Sequence, residues 1–141
     1  MKTVITNSPT ETLIWAHKLA DKFKGGEVVS LEGDLGAGKT VVVKGMAEGF
    51  GVKEVVNSPT FVLMKVYPIT KGKIQHIVHV DAYRLSGPAD LMQIGLADYL
   101  GRPDSVVLIE WGDKVKSALP EYTIHLRLKS LAENKREIKI N

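Results

Sequence analysis
Apolar and polar positions alternate along this chain with two periods, and they trade places several times. Leu13, Ala16, Ala20 and Phe23 recur at helical spacing. They follow Ser8-Pro9-Thr10-Glu11, which reads as a helix start: Ser8 caps, Pro9 takes the first turn and Glu11 completes a capping box. Gly25 and Gly26 end that helix. EVVSLE, 27–32, predicts a short strand, GDLGAG a loop, and residues 39–48 a second helix closed near Gly49 and Gly51. FVLMKVY, 61–67, predicts a strand ended by Pro68, and IQHIVHV, 74–80, returns from a turn at Lys71-Gly72-Lys73. Asp81 to Pro88 is a loop, and 88–100 reads as one or two helical turns. VVLIE, 106–110, is apolar throughout, the pattern of a strand covered on both faces. YTIHLRLK puts Ile124, Leu126 and Leu128 on one face, with REIKI as its hairpin partner.

Strands and helices interleave, with at least one strand–loop–helix crossover. The expectation is an α/β fold: one domain over 1–141, with a mixed sheet and flanking helices. A chain of 141 residues is long enough to bury a real core. Its composition, 44% hydrophobic and 25% charged, is that of ordinary soluble proteins. It has no cysteine, so disulfides, thiolate nucleophiles and thiolate zinc sites are excluded, and a reducing, cytoplasmic setting is the simpler expectation. No signal peptide or membrane-spanning run is evident. A net charge of +3 permits an anionic partner without demanding one.

The chemistry concentrates at GDLGAGKT, 33–40. Gly33, Gly38, Lys39 and Thr40 satisfy G-x-x-x-x-G-K-[ST], a pattern that a chain of this length meets by chance about 0.5% of the time at ordinary residue frequencies. It follows a predicted strand and opens a predicted helix, as a phosphate-binding P-loop must. Glycines let successive N–H groups curl around an anion, and the helix N-terminus adds partial positive charge. The expected nucleotide contacts are Gly33, Asp34, Leu35, Gly36, Ala37, Gly38, Lys39, Thr40 and Val41. Lys39 serves the β- and γ-phosphates, and the Thr40 hydroxyl serves Mg²⁺. Asp34 would repel phosphate, so it either faces away or joins the metal shell.

A P-loop needs carboxylates near the metal and the attacking water. Asp81 ends IVHVD and Glu110 ends VVLIE, and the carboxyl edge of such a sheet is where ligands sit. Both acids, with Lys39, are the catalytic candidates. Glu110 joins Thr40 as the metal candidate, although the residues alone leave open which acid touches the ion. Thr60 offers a hydroxyl, or merely caps a strand; Arg84 offers charge, or a surface ion pair. Trp111 packs beside the nucleotide or a partner, or fills core. His76 and His79, three apart on a strand, fall on opposite faces and should not share a metal. His17 and His125 are expected at the surface. A guanine-reading N-K-x-D is approached only by Asn134-Lys135-Arg136-Glu137, with Glu where Asp belongs, so ATP is the expected nucleotide.

GDLGAGKT (33–40), NSPTF (57–61), HVDAYRL (79–85), IGLADYL (94–100), VVLIEW (106–111) and LP (119–120) together resemble the TsaE (YjeE) family in order and spacing. Members are small bacterial P-loop ATPases needed for threonylcarbamoyladenosine modification of tRNA. The resemblance implies a mixed α/β P-loop fold and ATP or ADP with Mg²⁺. It implies phosphate contact by Lys39 and metal contact by Thr40. Asp81 and Glu110 would hold the catalytic or metal-linked positions, Thr60 would lie in a switch-like loop, and Trp111 would neighbour the site. The implied partner is the TsaB–TsaD pair, with tRNA engaged through that complex. One departure is visible: SGPADLMQ, 86–93, holds only Asp90 where the family often has glutamates. Two other functions fit a P-loop: a small-molecule kinase, and a nucleotide-binding module without turnover. A kinase normally has an arginine-rich lid, and none is evident; the two strand-end acids argue for turnover.

Overall fold
The computed structural model describes residues 2–57 and 63–141. Its elements run β1 (Lys2–Thr6), α1 (Pro9–Ala20), β2 (Val28–Glu32), α2 (Lys39–Phe50), β3 (Met64–Lys71), β4 (Ile74–Asp81), α3 (Pro88–Gln93), β5 (Ser105–Glu110), β6 (Ile124–Ser130) and β7 (Arg136–Ile140). Short 3-10 segments cover Leu96–Asp98 and Gly112–Ala118. The strands form one sheet in the order β1-β7-β6-β2-β5-β4-β3. Strands β6, β2, β5 and β4 run parallel, and the two margins are antiparallel. The α/β mixed-sheet expectation holds.

Each face of the sheet carries its own apolar layer. Leu31, Leu108, Ile77 and Leu126 face α1 and α2 and meet Val42, Met46 and Phe50. Val28, Val78, Val107 and Ile109 face the other way, towards Leu91, Leu96 and Val115. Every residue of β5 is buried, as its unbroken apolar run requires.

Helix α1 begins where its cap demands. The Ser8 hydroxyl accepts from the Glu11 N–H at 3.1 Å, and Glu11 reaches back to the Asn7 N–H at 3.3 Å. It ends at Ala20, several residues before the Gly25-Gly26 pair. Helix α2 runs two residues past Glu48, and Gly51 closes it in the left-handed region. The two helices touch backbone to backbone. A Cβ at Gly45 would stand 2.6 Å from the Leu13 carbonyl oxygen, and one at Gly49 2.7 Å from that of His17.

Three details depart from the sequence reading. Strand β1 exists, pairing Val4 with Ile138 on β7. Pro68 does not end β3: the strand continues to Lys71 through a register shift, because β3 is the sheet margin and the missing N–H faces no partner strand. His125 is not an outer-strand surface residue. β6 lies inside the sheet, and the His125 Nδ1 sits 2.7 Å from Glu32 Oε2. Among the described residues, no helix is long and apolar enough to cross a membrane.

Candidate functional site
The site forms where β2 stops and α2 starts. Gly33 is the first residue after β2, at φ +147°, and a Cβ there would lie 2.5 Å from the Leu128 carbonyl oxygen. Gly38 is the N-cap of α2, at φ +103°. Both positions therefore exclude a side chain, one by space and both by backbone conformation. Helix α1 has a side-chain cap and an acid in its first turn; among the described residues α2 has neither. The first-turn N–H groups of α2 thus face the loop without a carboxylate of their own, which suits an anion.

A cavity of about 330 Å³ opens there. Leu35, Gly36, Gly38, Lys39, Thr40 and Val41 line it from the loop and helix start. Asp81, Tyr83, Glu110 and Trp111 line it from the ends of β4 and β5, and Arg136 from β7. Gly33, Asp34 and Ala37 are not on its wall: Ala37 is buried against the core, and Asp34 is exposed. Asp34 contributes its carbonyl instead, which accepts from the Lys39 ammonium at 2.8 Å.

Lys39 is almost fully buried, at 5% exposure. Its ammonium donates to the Gly33 and Asp34 carbonyls and stands 4.0 Å from the centroid of the Trp111 ring. Burial pushes its pKa below the usual lysine value, and the carboxylates of Glu110, Asp113, Asp34 and Asp81 act against that shift.

The two strand-end acids are neighbours in register, Asp81 opposite Glu110 on parallel strands, so both project from one face at one edge. Glu110 is 3% exposed. The Thr40 hydroxyl donates to Glu110 Oε1 at 2.9 Å, and His79 Nε2 lies 2.6 Å from Oε2. Asp81 is half-buried and accepts from the Tyr83 N–H at 2.9 Å. The oxygen donors are a hydroxyl and two carboxylates, a hard set that fits Mg²⁺. Among the described residues no group of three His, Cys, Asp or Glu could enclose a metal. A Mg²⁺ ion takes few protein ligands and completes its shell with phosphate and water, so the donor set fits that ion.

Trp111 has φ +60°, the one positive value on a non-glycine among the described residues. The turn is forced from both sides. The Trp111 N–H donates to the Leu31 carbonyl at 2.9 Å, and Gly112 presses on Ser30, where a Cβ would meet Oγ at 2.0 Å. A left-handed bulky residue costs roughly 1–3 kcal/mol. The conformation swings the indole over Lys39 and against Tyr83, ring centroids 5.0 Å apart. Trp111 also packs on the second core layer, so it serves cavity and core together.

Sequence spacing misses three groups at the site. His79, which does not itself line the cavity, lies against Glu110 rather than His76. Tyr83 is on the cavity wall, half-exposed. Arg136 belongs to the string set aside as a poor guanine motif, yet its guanidinium donates to the Gly36 carbonyl at 3.2 Å and to those of Ala132, Glu133 and Lys135. Arg84 is exposed and does not line the cavity. Asp90 accepts from the Ser86 N–H at 2.7 Å, a turn contact at the start of α3. Thr60 lies outside the described residues.

A parallel sheet that feeds a glycine loop into a helix, with acids ending the adjacent strands, defines the P-loop NTPase fold. Residues 6–138 match the family model described as threonylcarbamoyl adenosine biosynthesis protein TsaE. The chain belongs to the TsaE family. It is 40% identical to the tRNA threonylcarbamoyladenosine biosynthesis protein TsaE of Treponema pallidum over 136 residues, which cover 96% of this chain and 97% of that one. It is 38% identical to the protein of the same name from Bacillus subtilis, with 94% of this chain and 80% of that one covered. A crystal structure of Bacillus subtilis YdiB is similar at a TM-score of 0.80 and 34% identity, covering 99% of this chain and 83% of the other.

Proposed function
We propose that this protein binds Mg·ATP at the 33–40 loop, hydrolyses it slowly, and thereby supports threonylcarbamoyl transfer to tRNA by a TsaB–TsaD pair, without catalysing that transfer itself. The observation that carries the reading is the Lys39–Thr40–Glu110 constellation at the mouth of one cavity. The loop N–H groups and the α2 N-terminus hold the phosphates, and Lys39 adds a full charge at the β–γ bridge. Thr40 and Glu110 would hold the metal, which would supply charge neutralisation to the phosphate oxygens. Asp81, beside Glu110 in register, orients the attacking water. Trp111 and Tyr83 wall one side of the cavity, their rings in contact.

Slow turnover follows from the cations available. Arg136 is held by four backbone carbonyls, and Arg84 is exposed and does not line the cavity, so neither is poised on a transferring phosphoryl group. A partner that supplies or orders such a group would accelerate the step, in a cytoplasmic reaction that reaches tRNA through the complex.

The test is reconstitution with TsaB–TsaD, tRNA and threonylcarbamoyl-adenylate. Repeated rounds of modification should require this protein and its hydrolysis. Sustained modification with the protein omitted, or with Glu110→Ala at the full multiple-turnover rate, would overturn the proposal. Transfer of phosphate to a small metabolite instead of water would favour the kinase.

A further inference from the structure
We infer that His79 is a positioning residue for Glu110: its Nε2–H holds one carboxylate oxygen so that the other stays turned to Thr40 and the metal position. The inference rests on the reading of Glu110 given above and deepens it.

The two residues sit on adjacent parallel strands. Asp81 pairs with Glu110 and His79 with Leu108, so His79, Asp81 and Glu110 share the sheet face that α2 covers. His79 has no solvent exposure, and Glu110 has 3%. An ionised carboxylate taken that far from water needs its oxygens satisfied. Oε1 has the Thr40 hydroxyl at 2.9 Å, and Oε2 has His79 Nε2 at 2.6 Å. A carboxylate accepts, so the ring carries its hydrogen on Nε2. The His79 Nδ1 is buried and has no partner among the described residues. A lone pair on Nδ1, rather than an N–H, is the tautomer this arrangement accommodates.

The consequence is geometric. Glu110 is the last residue of β5, and the chain turns sharply at Trp111 directly after it. A strand-end glutamate has three free torsions. The Thr40 hydroxyl ties Oε1 to α2, and the rigid imidazole on β4 ties Oε2 to the neighbouring strand, so each oxygen is held from a different element. A ligand held in orientation before the metal arrives loses less entropy on binding it, the usual task of a group behind a metal ligand. Histidine suits the role because two torsions place its donor and the strand holds both.

The test compares His79→Gln with His79→Asn in the full chain. Glutamine carries an amide N–H at nearly the reach of Nε2, while asparagine is one methylene too short, so the pair differ in reach and share polarity. Turnover is read with TsaB–TsaD present, the Mg²⁺ dependence of turnover by metal titration, and ADP affinity by calorimetry with and without Mg²⁺. His79→Asn should lose about tenfold or more in turnover and shift half-saturating Mg²⁺ upward, the range typical of groups behind metal ligands. Its ADP affinity without Mg²⁺ should stay within about twofold of the parent, and His79→Gln should recover most of both losses. In the Glu110→Ala background, His79→Asn should change turnover by no more than about twofold, because its route of action is gone.

Parental turnover and Mg²⁺ dependence in His79→Asn overturn the inference. So do equal losses in both variants that extend to Mg²⁺-free ADP binding, and so does a fully additive loss with Glu110→Ala. Parental hydrolysis by Glu110→Ala alone is a different failure: it overturns the reading of Glu110 itself.

Discussion

The Lys39 ammonium stands 4.0 Å from the centre of the Trp111 ring while donating to two carbonyls of the loop that precedes it. The lysine is thus held at the cavity by one aromatic face and by its own loop. Phosphate oxygens compete for the same ammonium more strongly than an indole does. ADP should therefore change Trp111 emission. The chain has two tryptophans, so Trp15→Phe isolates the signal. We predict a saturable change in Trp15→Phe that Lys39→Ala removes. Calorimetric ADP binding with an unchanged spectrum would show that lysine and indole are not coupled to the nucleotide.

Lys39 also sets a pH dependence. Burial lowers its folded-state pKa below the ordinary 10.5, so between the lowered value and 10.5 the unfolded chain binds more protons than the folded one. Stability from this group therefore rises with pH across that window, and below it the buried charge weighs on the fold in full. The unfolding free energy of the parent relative to Lys39→Met should climb from neutral towards alkaline pH. Urea titrations at a series of pH values measure it. A difference that falls with pH would mean that the four surrounding carboxylates outweigh burial.

Glu110 and Asp81 should matter more to turnover than to ADP binding. The tasks proposed for them, holding the metal and the water, would be realised mostly in the transition state. Replacing either by Ala should lower phosphate release by about 100-fold while ADP affinity falls far less, a split that marks transition-state interactions. Phosphate release beside ADP calorimetry tests this. Equal losses in both would assign the acids to ground-state binding or to folding.

Helices α1 and α2 meet at Gly45, where an added Cβ would be 2.6 Å from the Leu13 oxygen and 2.7 Å from the Ala16 Cβ. Alanine gains helix propensity there and forces the helices apart. Overpacking outweighs propensity, so Gly45→Ala should lose about 1–2 kcal/mol of stability. Urea unfolding checks it, and a variant as stable as the parent would show that the helix pair shifts freely.

How much of this was legible beforehand depended on distance along the chain. The Ser8 cap, the β2–loop–α2 unit, the buried β5 and the β6–β7 hairpin depend on residues within a few positions of one another, and the patterns reported them. β1 escaped notice because it is short, marginal and mostly exposed, so no apolar alternation marks it. Pro68 ends a strand only where its N–H would face a neighbour, and sheet order is not local information. Local spacing sets His79 against His76, three residues away; its partner is Glu110, reached through strand register. Arg136 approaches Gly36 across a hundred residues, and Glu32 holds His125 across ninety-three. The GKT motif therefore located the cavity, and the groups around it came from topology.

The most direct test of the central claim is phosphate release from Mg·ATP by the purified protein, alone and with TsaB–TsaD, beside Lys39→Ala of verified fold. The account predicts slow release by the parent, faster release with the partners, and none above background from Lys39→Ala, whose lysine no longer meets the β- and γ-phosphates. Release by Lys39→Ala at the parental rate, or none by the folded parent under either condition, would contradict it.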